Sequence, residues 1–334
     1  MKLIIQIPCY NEEKSLPVTL PLIPKKVAGF DEVEILIVDD GSTDKTVEVA
    51  RQYGVDHIIR LTSNQGLAAA FRAGISTSLE FGADIIVNID ADNQYNASDI
   101  GLLTAPLLAH EADITIGARP IEEIKHFSRL KKFLQKFGSG VVRSISRTNV
   151  VDATSGFRGM TKEAALHLNI FSKYSYTLEM IIQATEKQLY IKSVPIRVNP
   201  DLRPSRLARN TFSFVINSVK TLLDVLSIYR AFRFLFVLGF CVFILGVVAG
   251  SSSFWLAWIG QGKGHTPSLV IFDSLITVGV LIMVGAFLAR MLAVNRRIME
   301  EIQYHLRKNN SFKNKLDDLP FSTEILGTKK KITC

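Results

Sequence analysis

An α/β chain followed by a two-helix membrane hairpin is the architecture the sequence predicts, and three observations predict it. Strand and helix patterns alternate from the first residues to about residue 120. The apolar, β-branched runs Leu3–Ile7, Ile35–Val38 and Ile85–Ile89 each give way to polar residues at their C-terminal ends. Two long apolar segments then follow residue 230. In an open parallel sheet, ligands bind outside the carboxyl ends of the strands, so those polar ends form the candidate site.

The first run breaks at Pro8 into Cys9-Tyr10-Asn11-Glu12-Glu13, a polar turn leading into a helix. The second ends in Asp39-Asp40-Gly41-Ser42-Thr43-Asp44, a tight turn in which Ser42 or Thr43 is expected to cap the next helix. His57–Leu61 reads as another strand, and Asn64-Gln65-Gly66-Leu67-Ala68 opens a helix that continues through Ile75. The run Ile85–Ile89 stops at Asp90-Ala91-Asp92. Neighbouring carboxylates repel unless a proton or a cation holds them together, and oxygen donors suit a hard divalent ion, Mg²⁺ or Mn²⁺, carrying phosphates. After the strand Ile114–Gly117 comes Arg119, and residues 124–150 form a basic helical stretch that includes Arg129, Lys131 and Lys132.

Phe234–Ile259 contains no charged residue, and Leu269–Leu292 has only Asp273 near one end and Arg290 near the other. Each is long enough to cross a hydrocarbon core of about 30 Å. The short link Gly260–Ser268 makes them a hairpin. Arg230 and Arg233 precede it and Arg290, Arg296, Arg297, Arg307 and Lys308 follow, against Lys263 in the link, so both flanks are expected in the cytoplasm. Met1-Lys2 runs straight into the first strand, without the pattern of a signal peptide. Thr211–Tyr229 places Phe212, Val215, Val219, Leu222 and Leu226 at helical spacing, as in a helix lying at the bilayer interface. Cys9, Cys241 and Cys334 are too scattered for a disulfide framework or a zinc site. The net charge of +8 gathers beside the apolar helices rather than among aromatic residues on a soluble face, which favours anionic lipid over nucleic acid.

Val38-Asp39-Asp40-Gly41-Ser42, Asp90-Ala91-Asp92-x-Gln94 and Thr154-Ser155-Gly156-Phe157-Arg158, with the hairpin after them, resemble the family 2 glycosyltransferases of GT-A fold. The nearer resemblance is to the dolichyl-phosphate mannosyltransferase and bacterial polyprenyl-phosphate glycosyltransferase group, over roughly the first 295 residues. It implies a Rossmann-like nucleotide-sugar domain over residues 1–210, an amphipathic juxtamembrane helix over 211–230, two membrane helices within 231–295 (about 234–259 and 269–292) and a cytoplasmic tail over 296–334.

The same resemblance implies roles for single residues. Asp92 would be the main metal ligand, Asp90 would share the metal or contact the ribose, and Gln94 would complete the shell. Pro8, Tyr10, Glu12, Val38, Asp40 and Ala91 would line the base and ribose pocket. Arg119 would touch both phosphates, Lys131 would hold the acceptor phosphate with Arg129 and Lys132 as neighbouring alternatives, and Arg203 and Arg206 would close over the diphosphate. Gln135 stands where some relatives have serine. Asp152 could orient the donor sugar or the acceptor, and Glu179 carries no settled role.

The implied activity is inverting transfer of a sugar from a UDP- or GDP-linked donor to undecaprenyl or dolichyl phosphate at the cytoplasmic face, with homo-oligomers formed through the membrane helices. Direct extension of a surface glycan and an inactive scaffold are the alternatives. A processive synthase is disfavoured, because Gln-x-x-Arg-Trp is absent and Trp255 and Trp258 both lie in a membrane segment.

Overall fold

The structure is a computed structural model that describes residues 1–120, 148–170, 176–200, 231–258, 266–308 and 324–328. Lys131, Arg203, Arg206, Arg129, Lys132, Gln135 and the amphipathic segment 211–229 lie outside the described residues. The chain divides into two compact units, one of Met1–Thr221 with Gln303–Cys334 and one of Leu222–Ile302.

In the first unit the strands are β1 (Lys2–Cys9), β2 (Glu32–Asp39), β3 (His57–Arg60), β4 (Ile85–Asn88), β5 (Ile114–Ala118), β6 (Arg158–Thr161), β7 (Ile191–Pro195) and β8 (Glu324–Thr328). They form one sheet in the order β7-β5-β6-β4-β1-β2-β3-β8. Strands β4, β1, β2 and β3 run parallel, and β5 and β7 are parallel to each other. Their central residues are apolar on both faces because helices cover both, which is why Leu3, Ile4, Ile5, Ile7, Leu36, Ile37, Val38, Ile85, Ile86 and Val87 are all buried.

The parallel pattern is interrupted once within the sheet's interior, where β6 lies antiparallel between β4 and β5. The turn that precedes β6 already sits at the edge where β4 and β5 end, so the chain enters the sheet from that side and must run backwards.

Helices α1 (Leu16–Thr19), α2 (Thr46–Gln52), α3 (Leu67–Glu80), α4 (Ile100–Leu108), α5 (Lys162–His167) and α6 (Tyr176–Glu186) pack around the sheet. The cap expected at Ser42 or Thr43 is not found there, because α2 starts at Thr46 and its first amide is received by Asp44 Oδ1 at 3.0 Å. Ser42 is spent elsewhere: its Oγ accepts from Asn11 N at 2.8 Å and its own N–H goes to Asp39 Oδ1 at 3.1 Å. From sequence, residues 296–334 read only as a tail, with no element, yet Glu324–Thr328 pairs antiparallel with β3, covering a strand edge that would otherwise leave its backbone groups open.

Helices α7 (Ala231–Trp258) and α8 (Thr266–Lys308) include two segments, Phe232–Ser251 and Val270–Lys308, long and apolar enough to cross a membrane. Within the second unit they pack closely through glycines, since a Cβ on Gly279 would stand 2.7 Å from Phe243 N. Helix α8 runs well past the 292 expected from hydropathy, because its charged continuation keeps helix-forming residues through Lys308. In the first unit, its last turn meets α5: Tyr304 stacks on His167 with centroids 4.1 Å apart, and Arg307 Nη1 donates to Leu168 O at 3.0 Å.

Candidate active site

The C-terminal ends of β1, β2 and β4 lie side by side, with Pro8 in register with Val38. Two loops there are laced together by hydrogen bonds that explain their polar sequences. Asn11 N reaches Ser42 Oγ, Thr43 N reaches Asn11 Oδ1, and Glu12 N reaches Thr46 Oγ1, each at 2.8 Å. Asn11 has φ 55°, a left-handed conformation that asparagine tolerates better than most residues. Pro8 and Val38 are buried, Glu12 is buried with its carboxylate accepting from Ser15 Oγ at 2.7 Å, and Tyr10 is exposed at the rim. Asp40 is buried and its two oxygens accept from Gln65 N at 2.8 Å and Gly66 N at 2.9 Å, so it pins the loop that opens α3. Burial raises its carboxyl above the usual range, against the pull of those two amides.

Beyond β4, Asp90, Ala91, Asp92 and Gln94 form a tight loop. Asp92 Oδ1 accepts from Gln94 N at 3.1 Å across Asn93, which has φ 58°. Ala91 is buried and its carbonyl accepts from Thr19 Oγ1 at 2.9 Å. The far side of the loop is held by the segment that follows β7: Asn199 N donates to Gln94 O at 2.9 Å, and Arg197 Nε donates to the fully buried Asp99 at 3.0 Å.

Asp90 faces the turn before β6. A Cβ on Gly156 would come within 2.6 Å of Asp90 Oδ2, so glycine at 156 is what gives that carboxylate its room. Gly156 is fixed in turn, donating to Tyr95 Oη at 2.9 Å and accepting from Asn88 Nδ2 at 2.8 Å. Burial, and then the charge of Asp92, push the Asp90 carboxyl up to about 7, while Arg119 and Arg158 pull it down. A buried carboxylate pushed this far by its own burial and a neighbouring carboxylate has an unmet demand for positive charge.

Arg119 follows β5 and is 8% exposed. Its guanidinium meets Asp152 twice, Nε to Oδ2 at 2.6 Å and Nη2 to Oδ1 at 3.1 Å. It also reaches Thr154 Oγ1 at 3.0 Å and Gln94 Oε1 at 3.1 Å. Burial opposes its charge, but Tyr95 and Asp152 outweigh that and raise its pKa. Burial likewise works against ionised Asp152, and Arg119 overcomes it, holding the carboxyl below the usual range. Arg119, Asp90, Asp92 and Gln94 are thus brought into one cluster.

The roles of Asp152, Thr154 and Arg158 were only faintly legible. Arg158 is fully buried and donates to three backbone carbonyls at 2.8 Å, Ser155 from Nε, Thr177 from Nη1 and Ala153 from Nη2, which shapes the turn that presents Asp152 and Thr154. The available signals were the Asp-x-Thr spacing, which closes a side-chain turn, and an arginine at the head of an otherwise apolar strand.

The residues fit a hard divalent cation: two carboxylates and an amide oxygen within one short loop are all oxygen donors. Among the described residues no group of three or more His, Cys, Asp and Glu side chains could hold a metal ion by itself; Mg²⁺ is commonly bound by one or two carboxylates with phosphates and water.

Residues 4–168 match the family model for Glycosyl transferase family 2. The undecaprenyl-phosphate mannosyltransferase of Micrococcus luteus is 30% identical over 219 residues, covering 62% of this chain and 88% of that protein. The UDP-N-acetylglucosamine–dolichyl-phosphate N-acetylglucosaminyltransferase of Methanococcus voltae is 28% identical over 216 residues, covering 57% and 83%. Among solved structures, the glucosyl-3-phosphoglycerate synthase of Mycobacterium tuberculosis in complex with Mn²⁺, UDP-glucose and phosphoglyceric acid superposes with a TM-score of 0.55 at 20% identity, covering 67% of this chain and 79% of that one. That likeness is one of fold, the GT-A arrangement built on a mixed α/β sheet. On its sequence and its fold, this chain belongs to glycosyl transferase family 2.

Proposed function

We propose that the chain moves a sugar from a nucleotide-diphosphate donor to a polyprenyl phosphate at the cytoplasmic face of a membrane, with inversion at the anomeric carbon. The observation that carries this reading is the cluster of Asp90, Asp92, Gln94 and Arg119 at the C-terminal edge of the sheet, in a chain that also bears two apolar helices. The two relatives described above act, by their names, on different sugars but both on a polyprenol-type phosphate, which supports the acceptor class more firmly than any sugar.

Pro8, Tyr10, Glu12, Val38, Asp40 and Ala91 surround the place for base and ribose, Asp40 by fixing the Gln65–Gly66 turn. Asp92 and Asp90, with Gln94 beside them, would hold Mg²⁺ or Mn²⁺, which supplies charge neutralisation for the departing diphosphate. Arg119 offers its guanidinium to the phosphates. A lipid phosphate monoester is already anionic at neutral pH, so its oxygen attacks the anomeric carbon without a general base. As that C–O bond forms, the bond to the diphosphate breaks and its electron pair leaves with the nucleoside diphosphate. Lys131 or its neighbours Arg129 and Lys132, together with Arg203 and Arg206, are the cations we assign to the acceptor side and to closure.

The test is transfer itself. The purified full chain, given Mn²⁺, undecaprenyl phosphate and a panel of radiolabelled UDP- and GDP-sugars, is expected to place label from one donor in the organic extract. No lipid-bound label from any donor, with label appearing on a free saccharide instead, would favour direct glycan extension.

A further inference from the structure

We propose that Asp152 is a positioning residue that acts on the donor diphosphate through Arg119, with Thr154 as its auxiliary. This rests on the donor-site reading above and adds to it a carboxylate that touches no substrate.

The geometry is specific about what Asp152 can and cannot do. The residue is fully buried, and its oxygens are occupied: Oδ2 by Arg119 Nε, and Oδ1 by Arg119 Nη2, Thr154 N at 3.2 Å and Thr154 Oγ1 at 2.9 Å. A carboxylate with this many donors has little capacity left for a sugar hydroxyl or a proton. Its effect falls on the guanidinium. A planar fork gripped at Nε and Nη2 has no freedom to rotate, so the direction of Nη1 is set. Of the five N–H bonds of Arg119, three go to Asp152 and Thr154, one Nη1 N–H goes to Gln94, and the fifth, also on Nη1, meets no hydrogen-bond acceptor among the described residues. This is the N–H available to a phosphate oxygen.

Asp152 also settles a competition. Arg119 is attracted to Asp90, whose carboxyl it acidifies, and a guanidinium that collapsed onto Asp90 would occupy the charge meant for a metal. The two-pronged hold of Asp152 gives the buried cation a carboxylate partner other than Asp90. The turn bearing Asp152 is itself fixed, because Arg158 clasps the carbonyls of Ala153 and Ser155.

The experiment measures binding of GDP and of UDP, each with Mn²⁺, to the full chain in detergent by calorimetry, alongside thermal unfolding. It uses wild type, Asp152→Asn, Thr154→Val, Arg119→Gln and each of the first two combined with Arg119→Gln. For the nucleotide that wild type binds, Asp152→Asn is expected to weaken affinity by on the order of tenfold or more, as loss of a supporting partner does at comparable sites. Thr154→Val, which removes a neutral hydroxyl that accepts from Arg119 and donates to Asp152, is expected to cost about threefold. Both effects should disappear in the Arg119→Gln background, because a residue that acts through Arg119 has nothing left to position. Should Asp152→Asn fail to fold, the double variant, which removes both buried charges, and the Thr154→Val pair carry the same comparison. Wild-type affinity in Asp152→Asn, or losses that multiply undiminished in the Arg119→Gln background, would overturn the proposal while leaving the donor site intact. A wild type that binds neither nucleotide would overturn the donor reading, and this proposal with it.

Discussion

At the scale of single residues, the account depends on two carboxylates that need a cation. Asp92→Asn is expected to lower lipid-linked sugar formation by orders of magnitude with the fold intact, measured as transfer rate beside an unchanged thermal unfolding profile. Asp90 gives a pH signature. Its folded pKa of about 7 lies above the ordinary 3.8, so the metal-free folded chain binds more protons than the unfolded one between those values. Stability in EDTA should therefore fall as pH rises from about 4 to about 7, and Asp90→Asn should recover on the order of 2 kcal/mol at pH 8. Mn²⁺ must displace that proton, so its affinity should climb with pH and level off above about 7. An affinity flat between pH 5 and 8 would contradict this. Asp90 and Asp92 were legible in the sequence because an apolar strand stops abruptly at them. Asp152 stood out only as a residue that could orient the donor sugar or the acceptor, and its pairing with Arg119 was not legible, because the two lie 33 positions apart and only the folded sheet brings them together.

At the scale of elements, the strands that build the nucleotide edge were readable as β-branched runs with polar ends, and β1 to β5 fall where those runs lie. What the runs could not reveal was direction and partnership. Strand β6 is antiparallel because of where the preceding turn sits, and β8 exists only because β3 has an open edge. The short polar turns misled in the same way: Ser42 and Thr43 have the residue types of helix caps, but the loop carrying Asn11 claims them first. Arg158 joins the turn before β6 to α6, and a side chain without its planar fork cannot serve three carbonyls. Arg158→Ala should leave those carbonyls buried and unpaired, costing about 3–5 kcal/mol, and Arg158→Lys should recover little of it. Thermal unfolding of the full chain in detergent reads both, and a near-normal Arg158→Lys would contradict the role assigned to the fork.

At the scale of the whole molecule, the proposed transfer from cytoplasmic nucleotide sugars requires that both flanks of the two apolar helices lie in the cytoplasm, as the charges around them lead one to expect. A reporter fused at residue 264 is expected to behave as extracytoplasmic and one fused after residue 310 as cytoplasmic. The reverse result would remove the site from its proposed donor. The two apolar helices were legible from hydropathy alone, because length and composition are what define them, and the continuation of α8 to Lys308 follows from the helix-forming residues beyond the apolar window, whereas its last-turn contact with His167 depends on tertiary packing. The central claim is that the acceptor is a lipid phosphate, an anion that needs cationic clamps and no general base. Its most direct test compares undecaprenyl phosphate with undecaprenol as acceptor for the donor the enzyme uses, at equal concentration and with Mn²⁺ present. The account predicts label on the phosphate and none above background on the alcohol, and glycosylation of the alcohol at a comparable rate would contradict it.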